Sequence, residues 1–266
     1  MLGFIGLFIG AFGTLIGVAG GFLLVPILLF LYPDETPAVI TSITLTVAFF
    51  NAFSGSVAYG QLRRTDYRSG LLFSAAAVPG AILGAFITTI IGRGLFQYVF
   101  GAVLLLVAIY LLLQPSKKVS VGILLSKWQI HRTVTDRFRE SHTYSYNLPV
   151  GMAIAFGVGI IAGLLGIGGG IIHVPAMTQL LGFPVHIATA TSHFVVALST
   201  FAAIGTHLVD RTYTSNIGVV MVLSAGAIIG AQFGARLSRR VRGLLIIRLL
   251  AVGLVIVALR LLIAPI

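Results

Sequence analysis

Gly17-Val-Ala-Gly20-Gly21-Phe-Leu-Leu-Val25-Pro26 and Gly166-Ile-Gly168-Gly169-Gly170-Ile-Ile-His173-Val174-Pro175 are one motif written twice. A shift of 149 residues lays Gly17 on Gly166, Gly20 and Gly21 on Gly169 and Gly170, and Pro26 on Pro175. Each copy interrupts an apolar run. Such a break permits positive φ and frees backbone N–H groups that an intact helix would consume. One copy reads as close packing of membrane helices through small residues. Two copies at matching places in two halves read as paired discontinuous helices at a transport site.

Composition places these runs in a membrane. Of 266 residues, 58% are hydrophobic and 9% charged, and the mean hydropathy is +1.08. Soluble domains carry about 25% charged residues. The formal charge of +11 comes from Lys and Arg clustered between apolar segments, which reports orientation and not nucleic-acid binding. Cysteine is absent, so disulfide and thiolate chemistry are excluded. The start, Met-Leu-Gly-Phe-Ile-Gly, lacks a basic leader and reads as mature sequence.

From Leu2 to Leu31 runs an uncharged stretch of 30 residues. As one helix it would measure about 45 Å against a hydrocarbon core of about 30 Å. Two half-helices meeting at Gly17–Gly21 fit better. Spans follow over 38–60, 69–91 and 95–113, then a basic segment over 114–149 with Lys117, Lys118, Lys127, Arg132, Arg137 and Arg139. That segment reads as a solvated linker, or as one lying on the membrane surface through Trp128 and Phe138. The second half replays the first: Ile40-Thr41-Ser42 returns as Ala190-Thr191-Ser192, and Ala81-Ile-Leu-Gly84-Ala85 as Ala227-Ile-Ile-Gly230-Ala231. The expected organisation is a membrane repeat over 1–113, a basic cytoplasmic linker over 114–149 and a second repeat over 150–266.

The positive-inside rule chooses between parallel and inverted halves. If the broken segments are re-entrant, Arg63, Arg64, Arg68, the linker and Arg236, Arg239, Arg240 and Arg242 share one face. Arg93, Arg211 and Arg260 are left on the other, with Arg248 set aside. Fully crossing segments give a weaker asymmetry. The fold expected is therefore an all-α polytopic membrane protein of two inverted repeats. Each has a re-entrant, glycine-broken hairpin and three spanning helices.

The residue chemistry favours an anion. At each break a half-helix would present its N-terminus, with its unpaired N–H groups and positive dipole end. All six acidic residues lie in loops or at segment ends, so no carboxylate awaits a cation at mid-membrane. No Lys-Ser or Lys-Thr follows either motif, which excludes a nucleotide-binding loop. Thr41, Ser42, Thr191 and Ser192 offer hydroxyls to a ligand or back to their own helices. His173 and His193 are titratable groups inside apolar runs, candidates for proton coupling or for a neutral role in packing. No histidine pairs with acids or thiols at metal-ligand spacing, so neither metal nor other cofactor is expected.

With the glycine motifs, the Thr-Ser segments and the basic linker in view, the chain resembles the TauE/SafE family. Its most specific parts are Gly166-Ile-Gly168-Gly169-Gly170 with Val174-Pro175, and Ala188-Thr-Ala-Thr191-Ser192-His193. The resemblance implies a permease for sulfite, thiosulfate or organosulfonates, with substrate near Gly17, Gly20, Gly21, Thr41, Ser42, Gly166, Gly168, Gly169, Gly170, Thr191 and Ser192. Ala19 stands where the second copy has Gly168, so the first tip is expected to be less open. The expected partners are a small anion, the lipid bilayer of a prokaryotic plasma membrane and a second copy of this chain, with no nucleic acid. Competing readings are an anion channel and a membrane-embedded enzyme.

Overall fold

The computed structural model describes residues 2–113, 128–209, 217–238 and 243–263. Helices α1 (Leu2–Ile16) and α2 (Gly21–Leu31) flank the first break; α3 (Pro37–Gln61), α4 (Tyr67–Ile90) and α5 (Arg93–Leu113) complete the first half. Strands β1 (Gln129–Thr135) and β2 (Ser141–Asn147) follow. Helices α6 (Leu148–Leu165) and α7 (Gly170–Gln179) flank the second break, ahead of α8 (Val185–Val209), α9 (Ile217–Leu237) and α10 (Gly243–Ile263). Among the described residues six helices are long and apolar enough to cross a membrane: α3, α4, α5, α6, α8 and α9. Lys117, Lys118, Lys127, Asp210, Arg211, Arg239, Arg240 and Arg242 lie outside the described residues.

Local chemistry sets the helix starts. Thr36 caps α3 by accepting from the Val39 amide at 3.4 Å, with Pro37 in the first turn where its missing N–H costs nothing. Asn147 caps α6 in the same way through Val150, again with a proline in the first turn.

The two halves interlock. Helix α1 lies along α9, and α6 lies along α4, so each half packs its broken segment on a span of the other. Small residues make this possible. A Cβ on Gly226, Gly230 or Gly234 would strike the backbone of Gly3, Leu7 or Ala11, and one on Gly80 or Gly84 that of Phe156 or Ile160. The partner faces are small as well: Gly6 and Gly10 meet Leu223 and Ala227, while Gly159 and Gly163 meet Ala77 and Ala81. Both pairs run parallel, since residue numbers rise together along each contact. Backbones at this separation gain dispersion along their whole length, the main attraction available between helices in lipid.

The helical expectation needs one addition. Residues 129–147, read above as linker, form a two-stranded antiparallel hairpin in register from Gln129 with Asn147 to Thr135 with Ser141. Thr133, Thr135, Thr143, Val134, Tyr144 and Tyr146 suit a pleated ribbon, and Asp136 closes its turn by accepting from the amides of Phe138 and Glu140. Arg139 takes the left-handed conformation there, at φ 65. Basic composition hid the alternation of side chains.

The most heavily bonded contact of this hairpin with the bundle is a buried carboxylate. Asp66, N-cap of α4, accepts from Arg132 on both oxygens (2.8 and 3.0 Å), from Ser69 and from Tyr144 Oη at 2.7 Å. Burial alone would push this carboxyl up, but the hydrogen bonds from Arg132, Ser69 and Tyr144 outweigh it and hold the pKa down at about 2. A depressed carboxyl stabilises the fold above its unfolded pKa and loses that contribution as pH falls through the folded one. Docking is therefore expected to weaken as pH drops from 3.8 towards about 2, and Asp66→Asn to mimic the acid state at neutral pH. Limited proteolysis in the hairpin checks both; an Asp66→Asn hairpin as resistant as wild type would refute the clasp.

Candidate functional site: the paired glycine tips

Glycine meets the backbone requirement of the two breaks without strain. Gly17 (φ 93), Gly20 (φ 74), Gly166 (φ 70), Gly168 (φ 74) and Gly169 (φ 82) are all left-handed. Gly20 and Gly169 are the N-caps of α2 and α7, and neither helix start has a side-chain cap. Two helix N-termini thus keep first-turn amides that no cap side chain covers, each at the positive end of its dipole.

The tips meet each other. A Cβ on Gly21 would meet Gly166 O and Ile167, and one on Gly170 would meet Gly17 O and Val18. Gly168 faces Ala19 and Ala48. Helices α3 and α8 flank the contact crosswise, with Gly17 beside Thr189 of the second half and Gly166 beside Thr41 and Thr44 of the first. The structure therefore gathers all seven glycines of the two motifs in one place. The Cβ direction at Gly169, however, points at Val158 and Ala162 of α6. Its lack of a side chain serves packing as well as any ligand.

The hydroxyls divide. Thr41 Oγ1 donates to Pro37 O at 2.9 Å and Ser42 Oγ to Val39 O at 2.7 Å, both back into their own helix. Thr191 Oγ1 accepts from the Asp66 amide at 3.0 Å, tying α8 to the start of α4. Ser192 Oγ is buried without a partner. His193 Nδ1 is 3.0 Å from Thr189 O, its ring lies edge-on to Tyr59, and its Nε2 has no partner. His173 is likewise buried with Nε2 unpartnered, its ring edge-on to Phe73. A cavity of about 10 Å³ beside the second tip is lined by Gly168, Gly169, His173, Ser199, Val158 and Ala162. That holds roughly one water and no larger guest.

Three polar residues beyond the candidate site residues tie the first tip down. Asn51 Nδ2 donates to Gly10 O at 3.0 Å, Thr14 Oγ1 donates to Asn51 Oδ1 at 3.1 Å, and Tyr59 Oη donates to Thr14 O at 2.9 Å. An asparagine inside a span was the available signal, because an amide there must find partners within the protein. Away from the tips, Asp136, Glu140 and His142 bring one ligand atom each within 4.8 Å of one another. The Asp136 carboxylate is already engaged by two amides and by Arg64.

A multi-pass bundle with two buried, uncapped half-helix starts at its centre has the architecture of a membrane transporter. Comparison with known proteins agrees. The chain belongs to the TauE/SafE family: the family described as "Sulfite exporter TauE/SafE" matches residues 2–261. It is similar to YunE of Bacillus subtilis, named a probable membrane transporter protein, with 35% identity over 95% of this chain and 93% of that one. Probable membrane transporter proteins of Methanocaldococcus jannaschii (23% identity, 89% and 85% covered) and Haemophilus influenzae (25%, 87% and 82%) are more distant relatives. No solved structure matches.

Proposed function

We propose that this protein is a secondary transporter of a small oxyanion, with sulfite, thiosulfate and organosulfonates or carboxylates as the substrate class. The observation that carries the reading is the meeting of two uncapped, glycine-lined half-helix N-termini in a buried centre whose flanking spans contain no carboxylate. Such a centre attracts negative charge and offers no carboxylate to a cation. Tips in contact, with a cavity of only about 10 Å³ beside the second of them, favour a carrier, which must open to one side at a time, over a standing channel.

Alternating access would follow from inverted repeats. In support, α6 leaves the hairpin at Asn147, and the chain after α7 returns to it through Phe183, whose ring lies 4.4 Å from that of Tyr144. In this reading the first broken segment belongs to the other face, because Arg93, which opens α5 just past the end of α4 remote from Asp66, donates to Leu29 O in α2 and to Glu35 O beyond it. Two hairpins entering from opposite faces place both tips near mid-membrane. The hairpin and the basic loops then lie on the cytoplasmic side.

Purified protein in proteoliposomes tests this reading. Saturable counterflow of at least one of sulfite, thiosulfate and taurine is expected. Conductance without saturation would replace the carrier by a channel, and no movement of any of them would remove this substrate class. In the same vesicles His193→Gln is expected to retain counterflow and lose pH-driven accumulation, since glutamine bonds but does not titrate. Accumulation that survives would exclude the coupling role and leave His193 a ligand or a packing residue.

A further inference from the structure

Arg64 is the anomaly outside the tips. It sits in the short connection between α3 and α4, only 6% exposed. Its Nη2 makes one long contact, 3.3 Å, with Asp136 Oδ2, while Nε and Nη1 are buried with no partner at all. The hydroxyl of Thr65 beside it in sequence is also buried and unpartnered. A guanidinium carries five N–H donors in a planar fork. Burying it with most of them idle is strongly unfavourable unless something else comes to satisfy them. The backbone is bent to put it there: Arg63 adopts φ 54, a left-handed conformation costly for a residue with a side chain.

Its surroundings point along a path. Tyr59, one turn earlier on α3, lies in the field of Arg64 and donates to Thr14 O at the first tip. The His193 ring rests against Tyr59 with its own Nε2 idle, and His186 is within electrostatic reach of Arg64. Arg64, Tyr59 and His193 thus lead from the hairpin face towards the first tip, with idle nitrogens on Arg64 and His193. Phe138 of the hairpin covers the guanidinium at 5.9 Å.

We infer that Arg64 is an oxyanion-binding residue at the hairpin-side mouth of the transport path. Nη2 carries two hydrogens, and the one that Asp136 leaves free pairs with the idle donor on its own side, Nε or Nη1, to present two parallel donors that fit a pair of oxygens on a sulfite-, thiosulfate- or sulfonate-like group. Asp136 takes one hydrogen of Nη2 and so holds the fork in place while one of its two edges stays open. The inference rests on the transport reading above and extends it to a second site, on one side only.

The test is sided flux in sealed vesicles, using whichever of sulfite, thiosulfate and taurine the wild type carries. A parallel equilibrium titration in a sugar detergent excludes lipid phosphate as the bound group. Arg64→Lys keeps the charge and loses the fork. It is expected to raise the half-saturating anion concentration at the hairpin face about tenfold, with the opposite face within about twofold. Asp136→Asn is expected to leave anion affinity equal or higher while loosening the hairpin. Two results overturn the inference: Arg64→Lys and Asp136→Asn weakening flux equally from both faces, which marks a structural staple, or Arg64→Lys matching wild type. A wild type that moves none of the anions overturns the transport reading itself, and this site with it.

Discussion

Oxidising the double variant Ala19→Cys, Gly168→Cys is expected to stop flux completely, and a reductant to restore it. A Cβ built on Gly168 lies 3.3 Å from Ala19 Cβ, close to the separation of about 3.8 Å that a disulfide prefers. The chain has no other cysteine to confuse the result. Position 168 has φ 74, so any side chain there carries strain of roughly 1 kcal/mol. The single variant Gly168→Cys controls for that strain. The expectation follows from size: with the tips in contact the adjoining cavity is about 10 Å³, so an oxyanion reaches the helix N-termini only if the tips part. Loss and recovery should track the crosslinked fraction on a gel. If quantitatively crosslinked protein still exchanges anion at the wild-type rate, the tips never separate during transport and the binding site lies elsewhere.

Much of this arrangement is legible in the sequence because it is carried by backbone requirements. Gly17, Gly20, Gly166 and Gly169 announce positive φ, and their repetition announces two related halves. The half-helices expected to start at the two breaks begin at Gly21 and Gly170. What stayed hidden depends on partners distant in sequence. Asp66 reads as one more loop acid until Arg132 and Tyr144 are folded onto it. Thr41 and Thr191 occupy matching places, yet one bonds within its own helix and the other receives an amide from α4. Hydroxyl pairing is a property of the neighbour, which a single sequence does not encode locally. The hairpin strands were masked by the basic segment around them: of its six Lys and Arg residues only Arg132 lies in a strand, and the short alternating runs on either side of the turn read as linker.

The same distinction between backbone and side chain predicts which glycines the fold cannot lose. Gly84 and Gly230 sit at matching places in the two repeats, each against the backbone of a broken-segment helix. Added Cβ atoms would strike Ile160 O and Leu7 O, with Leu164 N at 2.7 Å and Ala11 N at 2.6 Å behind them. A backbone carbonyl has no rotamer to yield, so the helices must move apart along their whole contact. Gly84→Ala or Gly230→Ala is therefore expected to cost on the order of 3 kcal/mol, the upper end of overpacking penalties, and Leu at either place to leave little folded protein. Gly157, on α6 but facing open space, supplies the control. Gly157→Ala is expected to be neutral or to stabilise α6 by up to about 1 kcal/mol through helix propensity. Thermal unfolding in detergent, followed by light scattering, measures all three. Should Gly84→Ala and Gly157→Ala melt together, close packing of α4 on α6 does not hold the halves in register. Should Gly84→Ala fall well below Gly157→Ala while Gly230→Ala matches the control, only one of the two matching contacts secures the interlock.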